Sequence, residues 1–198
     1  MPGEFEAHRR CWLVWPERTD YFRQGAKPAQ RTLVQIANAI SQGEPVAVCV
    51  SARQFGNAVR MLPPHVQVIE LSTDDMWIRD CGPCFVRNAV GQTRVVDFAF
   101  NGWAGLTSGQ PVSFQLDSAI PHKIAQLEGM DRYVCDLVAE GGNLCSDGQG
   151  TLIVTAENLM DPARNRTGLS RLEIESLLCS YLGARKVIWL ERGLKYDV

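Results

Sequence analysis

One stretch of this chain gathers residue types that an ordinary turn does not need. From Ser72 to Phe85 it reads S-T-D-D-M-W-I-R-D-C-G-P-C-F. Turns are served by Gly, Pro, Asn or Asp. They have no use for Trp77 and Ile78 set among Asp74, Asp75 and Asp80. Carboxylates beside an aromatic ring suit a planar cation. A guanidinium presents two parallel N–H donors to one carboxylate, and an aromatic face over the cation adds roughly 0.5–2 kcal/mol. Aspartates crowded in a closed pocket repel one another unless a cation sits among them, although solvent can equally screen them. A surface loop with Trp77 and Ile78 packed into the core fits the same letters. The stretch alone leaves both readings open.

The neighbouring chemistry narrows the field. Cys81-Gly82-Pro83-Cys84 has the letters of a thioredoxin-type redox pair. Such a pair follows a strand and opens a helix, whereas Phe85-Val86-Arg87 reads as a strand, so the match is expected to be coincidental. A zinc site needs two further ligands nearby, and His65 and His122 are poorly placed to supply them. No metal and no cofactor is expected. Seven cysteines, an odd and scattered set, point to a reduced cytoplasmic protein. At 198 residues with net charge −2 and 45% hydrophobic content, the chain is one domain of ordinary size or a piece of a larger one. The charge excludes a nucleic-acid footprint. No apolar run reaches membrane-spanning length, and Met1–Phe5 lacks the features of a signal peptide.

The elements that must position these residues follow from hydrophobic period and caps. Strands are expected at Cys11–Trp15, Val46–Val50 and Val66–Leu71. Between them lie a helix over Pro28–Ile40 with helical spacing of Leu33, Ile36, Ala37 and Ile40, and a second opened by a Ser51–Gln54 capping box and running to Leu62. After the acidic stretch, Phe85–Arg87 pairs with Thr93–Phe98 across Asn88–Gln92. Phe100–Val112 reads as a long loop, and Asp117–Leu127 as a helix whose first turn is disturbed by Pro121. Tyr133–Val138 is a strand ending in Ala139-Glu140-Gly141-Gly142-Asn143. A second hairpin turns at Asp147-Gly148-Gln149-Gly150 and returns through Thr151–Thr155. Met160–Gly168 reads as a loop. Ser170 and Glu173 form another capping box, opening a helix to Leu182 that Gly183 stops. Lys186–Leu190 is the last strand.

A structural repeat emerges from this order: hairpin, helix, strand and acidic loop over Phe85–Asn143, and again over Asn143–Glu191. Residue identities barely recur. Four strand-end loops carry carboxylates: Glu17, the Asp74/Asp75/Asp80 group, Glu140 and Glu191. If each repeat is a blade around one axis, those carboxylates converge on a central pocket. Repeat folds need several units to bury their inner faces, so the expected architecture is α/β with an incomplete ring of blades.

Several segments together carry a family resemblance: Met1-Pro2-Gly3-Glu4-Phe5, Trp15-Pro16-Glu17-Arg18, Gly25-Ala26-Lys27-Pro28, Asp75-Met76-Trp77-Ile78-Arg79-Asp80-Cys81-Gly82-Pro83, Phe100-Asn101-Gly102-Trp103-Ala104-Gly105 and Glu140-Gly141-Gly142-Asn143. Over nearly its whole length the chain resembles the agmatine deiminases of the guanidine-modifying superfamily. The resemblance implies a partial pentein-type α/β propeller built from ββαβ units. It also implies hydrolysis of agmatine to N-carbamoylputrescine and ammonia, on the way to putrescine. In that family a cysteine thiolate attacks the guanidinium carbon, a histidine moves protons and carboxylates hold the nitrogens. Carried over, Asp80 matches the guanidinium-binding aspartate and Glu140 a second pocket carboxylate. Trp77 matches a pocket wall, while Gly141 and Gly142 let backbone pass close to substrate. Each has a plainer reading: Asp80 as a turn cap, Trp77 as core, the glycines as a strand bulge. Asp74, Asp75 and Glu17 are expected to be solvated or structural, and Arg79 has no assigned role.

The departures from the family pattern matter too. The family histidine, in G-H-x-D, and the nucleophilic cysteine, in G-G-G-N-x-H-C, have no counterpart in residues 1–198. The chain is expected to be the N-terminal half of such a domain and inactive alone. Leu144-Cys145-Ser146-Asp147 stands where the family has I-H-V-D, so Cys145 replaces a histidine. Val112–His122 departs from W-D-Q-D-D. A non-catalytic guanidinium-binding or self-associating half-module, or a truncated gene product, is the alternative. The expected partners are a small guanidinium compound and, through open sheet edges, another copy of the chain.

Overall fold

The computed structural model describes residues 1–107, 110–111, 113–165 and 168–194. Ser108, Gly109 and Val112 of the expected loop over Phe100–Val112, residues 166 and 167 of the Met160–Gly168 loop, and the end Lys195–Val198 lie outside them. The chain forms two compact units, one of residues 7–78 and one of residues 1–6 with 79–198.

Residues 7–78 carry a three-stranded parallel sheet. Strand β1 (Cys11–Val14) leads through a 3-10 turn (Arg23–Ala26) and helix α1 (Lys27–Ile40) to β2 (Val46–Val50), and α2 (Ala52–Met61) leads on to β3 (Gln67–Glu70). The order is β1-β2-β3 with both pairs parallel, because each neighbour is reached by a helical crossover. All five residues of the central strand are buried, as its unbroken apolar run requires. The unit is βαβαβ, the alternation of strands and helices expected over these residues. In α1 the buried stripe is Gln30, Leu33 and Ala37, while Ile36 is exposed. Gln30 satisfies its buried amide by donating to the Pro16 carbonyl at 3.0 Å. Ser51 caps α2 by accepting from the Gln54 amide. The Gln54 side chain does not complete the expected box; it accepts from Asn57 at 3.0 Å.

The remaining residues form two mixed sheets. A single turn, α3 (Ile78–Cys81), interrupts what reads in sequence as plain loop. Then β4 (Cys84–Arg87) and β5 (Thr93–Ala99) make an antiparallel hairpin. The segment expected as an irregular loop instead holds α4 (Gly102–Gly105), in which Trp103 and Ala104 are left-handed, and a two-stranded ladder of β6 (Leu106–Thr107) with β7 (Gln110–Pro111). A 3-10 turn (Asp117–Ala119) feeds α5 (Ile120–Leu127), whose Pro121 sits in the first turn where its missing N–H costs nothing. Strand β8 (Arg132–Val138) returns parallel to β5, giving the order β4-β5-β8. The second sheet repeats the plan. After a 3-10 turn (Gly141–Asn143), β9 (Leu144–Ser146) pairs antiparallel with β10 (Thr151–Thr155). Through α6 (Ala156–Leu159) and α7 (Arg171–Leu182) the chain reaches β11 (Lys186–Leu190), parallel to β10. The two ββαβ units expected over Phe85–Glu191 are thus present.

Both hairpins turn by the same device. Asn88 Oδ1 accepts from the amides of Val90 and Gln92, and Asp147 Oδ1 from those of Gln149 and Thr151. This is the Asx-turn chemistry that favours those residue types. Helix α7 opens on a full Ser170–Glu173 capping box and stops at Gly183, which has φ 68°. Its Ile174, Leu178 and Leu182, one turn apart, enter a core built from both mixed sheets, including Val96, Phe98, Cys135, Leu152 and Val154. A separate core in residues 7–78 gathers Trp15, Leu33, Val48 and Val50. No helix among the described residues is long and apolar enough to cross a membrane.

Candidate active site

Two of the predicted carboxylates come together through backbone geometry. The α3 turn presents Asp80, and the loop leaving β8 passes beside it. The register of β8 on β5 slips at Phe98/Ala99, where Phe98 faces Cys135 and Ala99 faces Val138. Such irregularities re-aim a strand end, and Glu140 follows two residues later. Gly142 donates its amide to Asp80 Oδ1 at 3.1 Å. The approach is so close that only glycine fits. A Cβ at Gly141 would lie 2.2 Å from the Arg79 carbonyl oxygen, and one at Gly142 would lie 2.5 Å from Asp80 Oδ1. The two glycines thus have a structural reason for their identity: they let the Glu140 loop lie against the Asp80 turn.

The second oxygen of Asp80 accepts from Trp103 Nε1 at 3.3 Å. Trp103 is delivered by the α4 turn, in which Trp103 has φ 53° and Ala104 has φ 72°. Non-glycine residues avoid this region unless their surroundings impose it. Here Asn101 Oδ1 accepts from the Ala104 amide at 3.0 Å, and the indole packs edge-on against Phe100 at 5.2 Å.

Glu140 is 4% exposed. Its Oε2 accepts from Arg164 Nη1 at 3.0 Å, while its Oε1 is buried with no hydrogen-bond partner. Burial pushes the Glu140 carboxyl above its ordinary range, Arg164 pulls it back, and the charges of Asp80 and Asp161 push it further up. The Asn158 side chain also favours the ionised carboxylate. Arg164 is itself held. Its carbonyl accepts from Asn101 Nδ2 at 3.0 Å, and its Nε lies 3.9 Å from Asp161 Oδ2. Next to it, buried Asn165 bonds both the amide and the carbonyl of Val138, each at 2.9 Å, and so ties this segment to the end of β8. The arrangement offers a buried carboxylate oxygen beside a second carboxylate, which is the acceptor set for a guanidinium or amidinium.

The other predicted carboxylates have different partners. Asp75, in the unit of residues 7–78, is buried and paired with Arg18 at 2.6 Å. Glu17 accepts from Ser51 Oγ at 2.9 Å and from Arg53 Nη2 at 3.1 Å. Both are structural, as expected of them. Glu191 is exposed and takes two bonds from Arg171 at 2.9 and 2.6 Å, so it is an outer ion pair. Arg79 pairs with Glu4. Trp77 belongs to residues 7–78 and is 42% exposed, not core.

Two buried cysteines, Cys84 and Cys135, are not poised for attack. Cys84 opens β4 as a strand residue, and burial pushes its thiol up to about 11. That is the opposite of an activated redox thiol. Burial raises Cys135 as well. Cys145 is exposed on β9, opposite Ile153. His8 bonds Glu44 and His65 bonds Ser41, both within residues 7–78, and His122 is exposed. No group of three His, Cys, Asp or Glu among the described residues is placed to hold a metal. A cleft of about 650 Å³ between the hairpin ends, lined by Glu6, Arg87, Arg94, Tyr133, Tyr181 and Arg185, includes none of the predicted site residues.

Sequence reasoning missed Arg164, Asn101 and the role of Trp103. Glycines flanking Trp103 and Ala104 signalled unusual backbone. Arg164 carried no signal, since it lies in a polar loop with no motif spacing to Glu140.

Comparison with known proteins completes the picture. Residues 1–198 match the family model of the Porphyromonas-type peptidyl-arginine deiminases. Over 198 residues the chain is 50% identical to a candidate agmatine deiminase of Latilactobacillus sakei, covering all of this chain and 54% of that protein. It is 46% identical to the agmatine deiminase of Ectopseudomonas mendocina, again over 100% of this chain and 54% of the relative. The solved agmatine deiminase of Enterococcus faecalis superposes with a TM-score of 0.93 at 46% identity, over 98% of this chain and 53% of that one. The chain spans about half the length of the curated relatives it matches.

Proposed function

The chain belongs to the Porphyromonas-type peptidyl-arginine deiminase family, and from that membership we propose that it forms part of a cytoplasmic guanidinium hydrolase converting agmatine to N-carbamoylputrescine and ammonia. The observation that carries this reading is Glu140 Oε1, a buried acceptor without a donor beside Asp80. Buried acceptors are nearly always satisfied, and a guanidinium N–H would satisfy this one. Asp80, already aligned by Gly142 and Trp103, would take a second edge of the same planar group. Gly141 with Gly142 would let the loop approach the ligand as well as the Asp80 turn.

Held this way, the guanidinium carbon is open to a nucleophile from above its plane. Attack by a thiolate forms a C–S bond, a proton moves to the departing nitrogen, and the C–N bond breaks to release ammonia. Water then adds to the carbon, the C–S bond breaks, and the urea-like product leaves. We place the thiolate and the proton-moving histidine outside residues 1–198. The two ββαβ blades described above would be part of a pentein-type propeller.

Calorimetry with agmatine on the 198-residue chain tests the reading, comparing it with Asp80→Asn. Binding is expected, weakened tenfold or more by the substitution, since a charge-assisted bidentate pair would lose its charge. Binding that ignores the substitution removes Asp80 from the site. A chain that binds nothing removes the site itself, and self-association without agmatine binding would favour an interaction module.

A further inference from the structure

Arg164 sits where a competitor of the ligand would sit. Its guanidinium occupies one oxygen of the carboxylate that, on the reading just proposed, receives the substrate guanidinium. Two consequences are possible: Arg164 could block the site, or it could prepare it. The geometry separates them. Only Oε2 is taken, through a single bond from Nη1, and Oε1 stays buried and unpartnered. A blocking arginine in a planar fork would take both oxygens. Arg164 is also held through its backbone by the Asn101 amide on its carbonyl, while its Nε, 3.9 Å from Asp161 Oδ2, makes no hydrogen bond. Asn101 is shared, since its other end holds the strained turn that puts Trp103 on Asp80. One side chain therefore locks the partners of both carboxylates.

We infer that Arg164 is a positioning residue, which fixes Glu140 through Oε2 and sustains its negative charge, so that Oε1 is left as the acceptor for the ligand. The need for such a residue follows from what surrounds Glu140. Burial, Asp80 and Asp161 all favour its neutral form, and Arg164 is the cation opposing them, with the Asn158 amide assisting. A neutral Glu140 would offer no charge to a guanidinium and could present a hydroxyl donor to it instead. The inference rests on the proposed guanidinium site for its purpose, but the state of Glu140 can be read without any ligand.

The test is a titration of Glu140 by carbon NMR of the glutamate carboxyls in the 198-residue chain, with Glu140→Gln to assign the signal. Arg164→Gln is expected to move the Glu140 midpoint upward by about one pH unit or more, and Arg164→Lys, which keeps the charge, to leave it near that of the parent. In parallel, agmatine affinity is followed against pH. Binding by the parent should fail as pH drops through the Glu140 midpoint. In Arg164→Gln that acid limb should move up with the midpoint, whereas a merely structural loss would weaken binding at every pH without moving the limb. A Glu140 midpoint unmoved by Arg164→Gln overturns the inference. So does tighter agmatine binding by that variant, which would make Arg164 a competitor, and so does failure of both variants to fold, which would make it a structural residue only. If the parent binds no agmatine, the proposed function fails while the Glu140 titration still decides the role of Arg164.

Discussion

At the scale of single residues, the site depends on contacts too close for any side chain. Gly141→Ala would drive a methyl group to 2.2 Å from the Arg79 carbonyl oxygen. Backbone cannot retreat as a flexible side chain can, so overpacking of roughly 1–3 kcal/mol is expected. Urea denaturation should show a lowered midpoint with little change in slope. Gly43→Ala, whose added Cβ would come no nearer than 3.8 Å to the Ile40 carbonyl oxygen, is the control and should move the midpoint little. Equal midpoints for the two variants would show that the Glu140 loop does not press on the Asp80 turn. Asp80 and Glu140 were singled out in the sequence by the motifs that carry the family resemblance. The contact that demands Gly141 was not. Its other half is a carbonyl oxygen more than sixty positions away, and carbonyls leave no trace in residue letters.

At the scale of elements, α7 ties the two mixed sheets to one core. Its period is local, and so are its caps, with Ser170 and Glu173 three residues apart. That is why the helix could be bounded from sequence. Leu178 has no exposure and lies in the middle of the buried row. Leu178→Ala removes apolar contact and leaves a cavity, at an expected cost of about 2–5 kcal/mol. Thermal or chemical unfolding of the 198-residue chain would measure it, and a loss below about 1 kcal/mol would mean that α7 is not the packing element described. By contrast, the α4 turn resists sequence reading. Trp103 and Ala104 are poor choices for left-handed backbone. They hold it because Asn101, Phe100 and Asp80 supply bonds and packing that outweigh the local preference. The β-α-β-α-β succession of residues 7–78 was legible for the same reason as α7, since each strand and helix there is marked by its own local period and caps.

At the scale of the whole molecule, holding a guanidinium and attacking one are separate tasks. On the proposed reading, Asp80 and Glu140 would supply the first set of groups. Cys84 and Cys135 are ill suited to the second, since burial pushes both toward the protonated form. The 198-residue chain incubated with agmatine is therefore expected to release no ammonia above background. Cysteine-dependent turnover would refute this, and Cys81→Ala and Cys145→Ala would then identify the nucleophile. What the sequence determined by itself was the main strands and helices and the two ββαβ units. Each rests on periods, caps and motifs that span a few residues. What the tertiary structure decided was which carboxylate meets which partner. Asp75 goes to Arg18, Glu191 to Arg171, Asp80 to Gly142 and Trp103, and Glu140 to Arg164. A charge shows its type in one letter, but its partner is chosen by packing between segments that are distant along the chain.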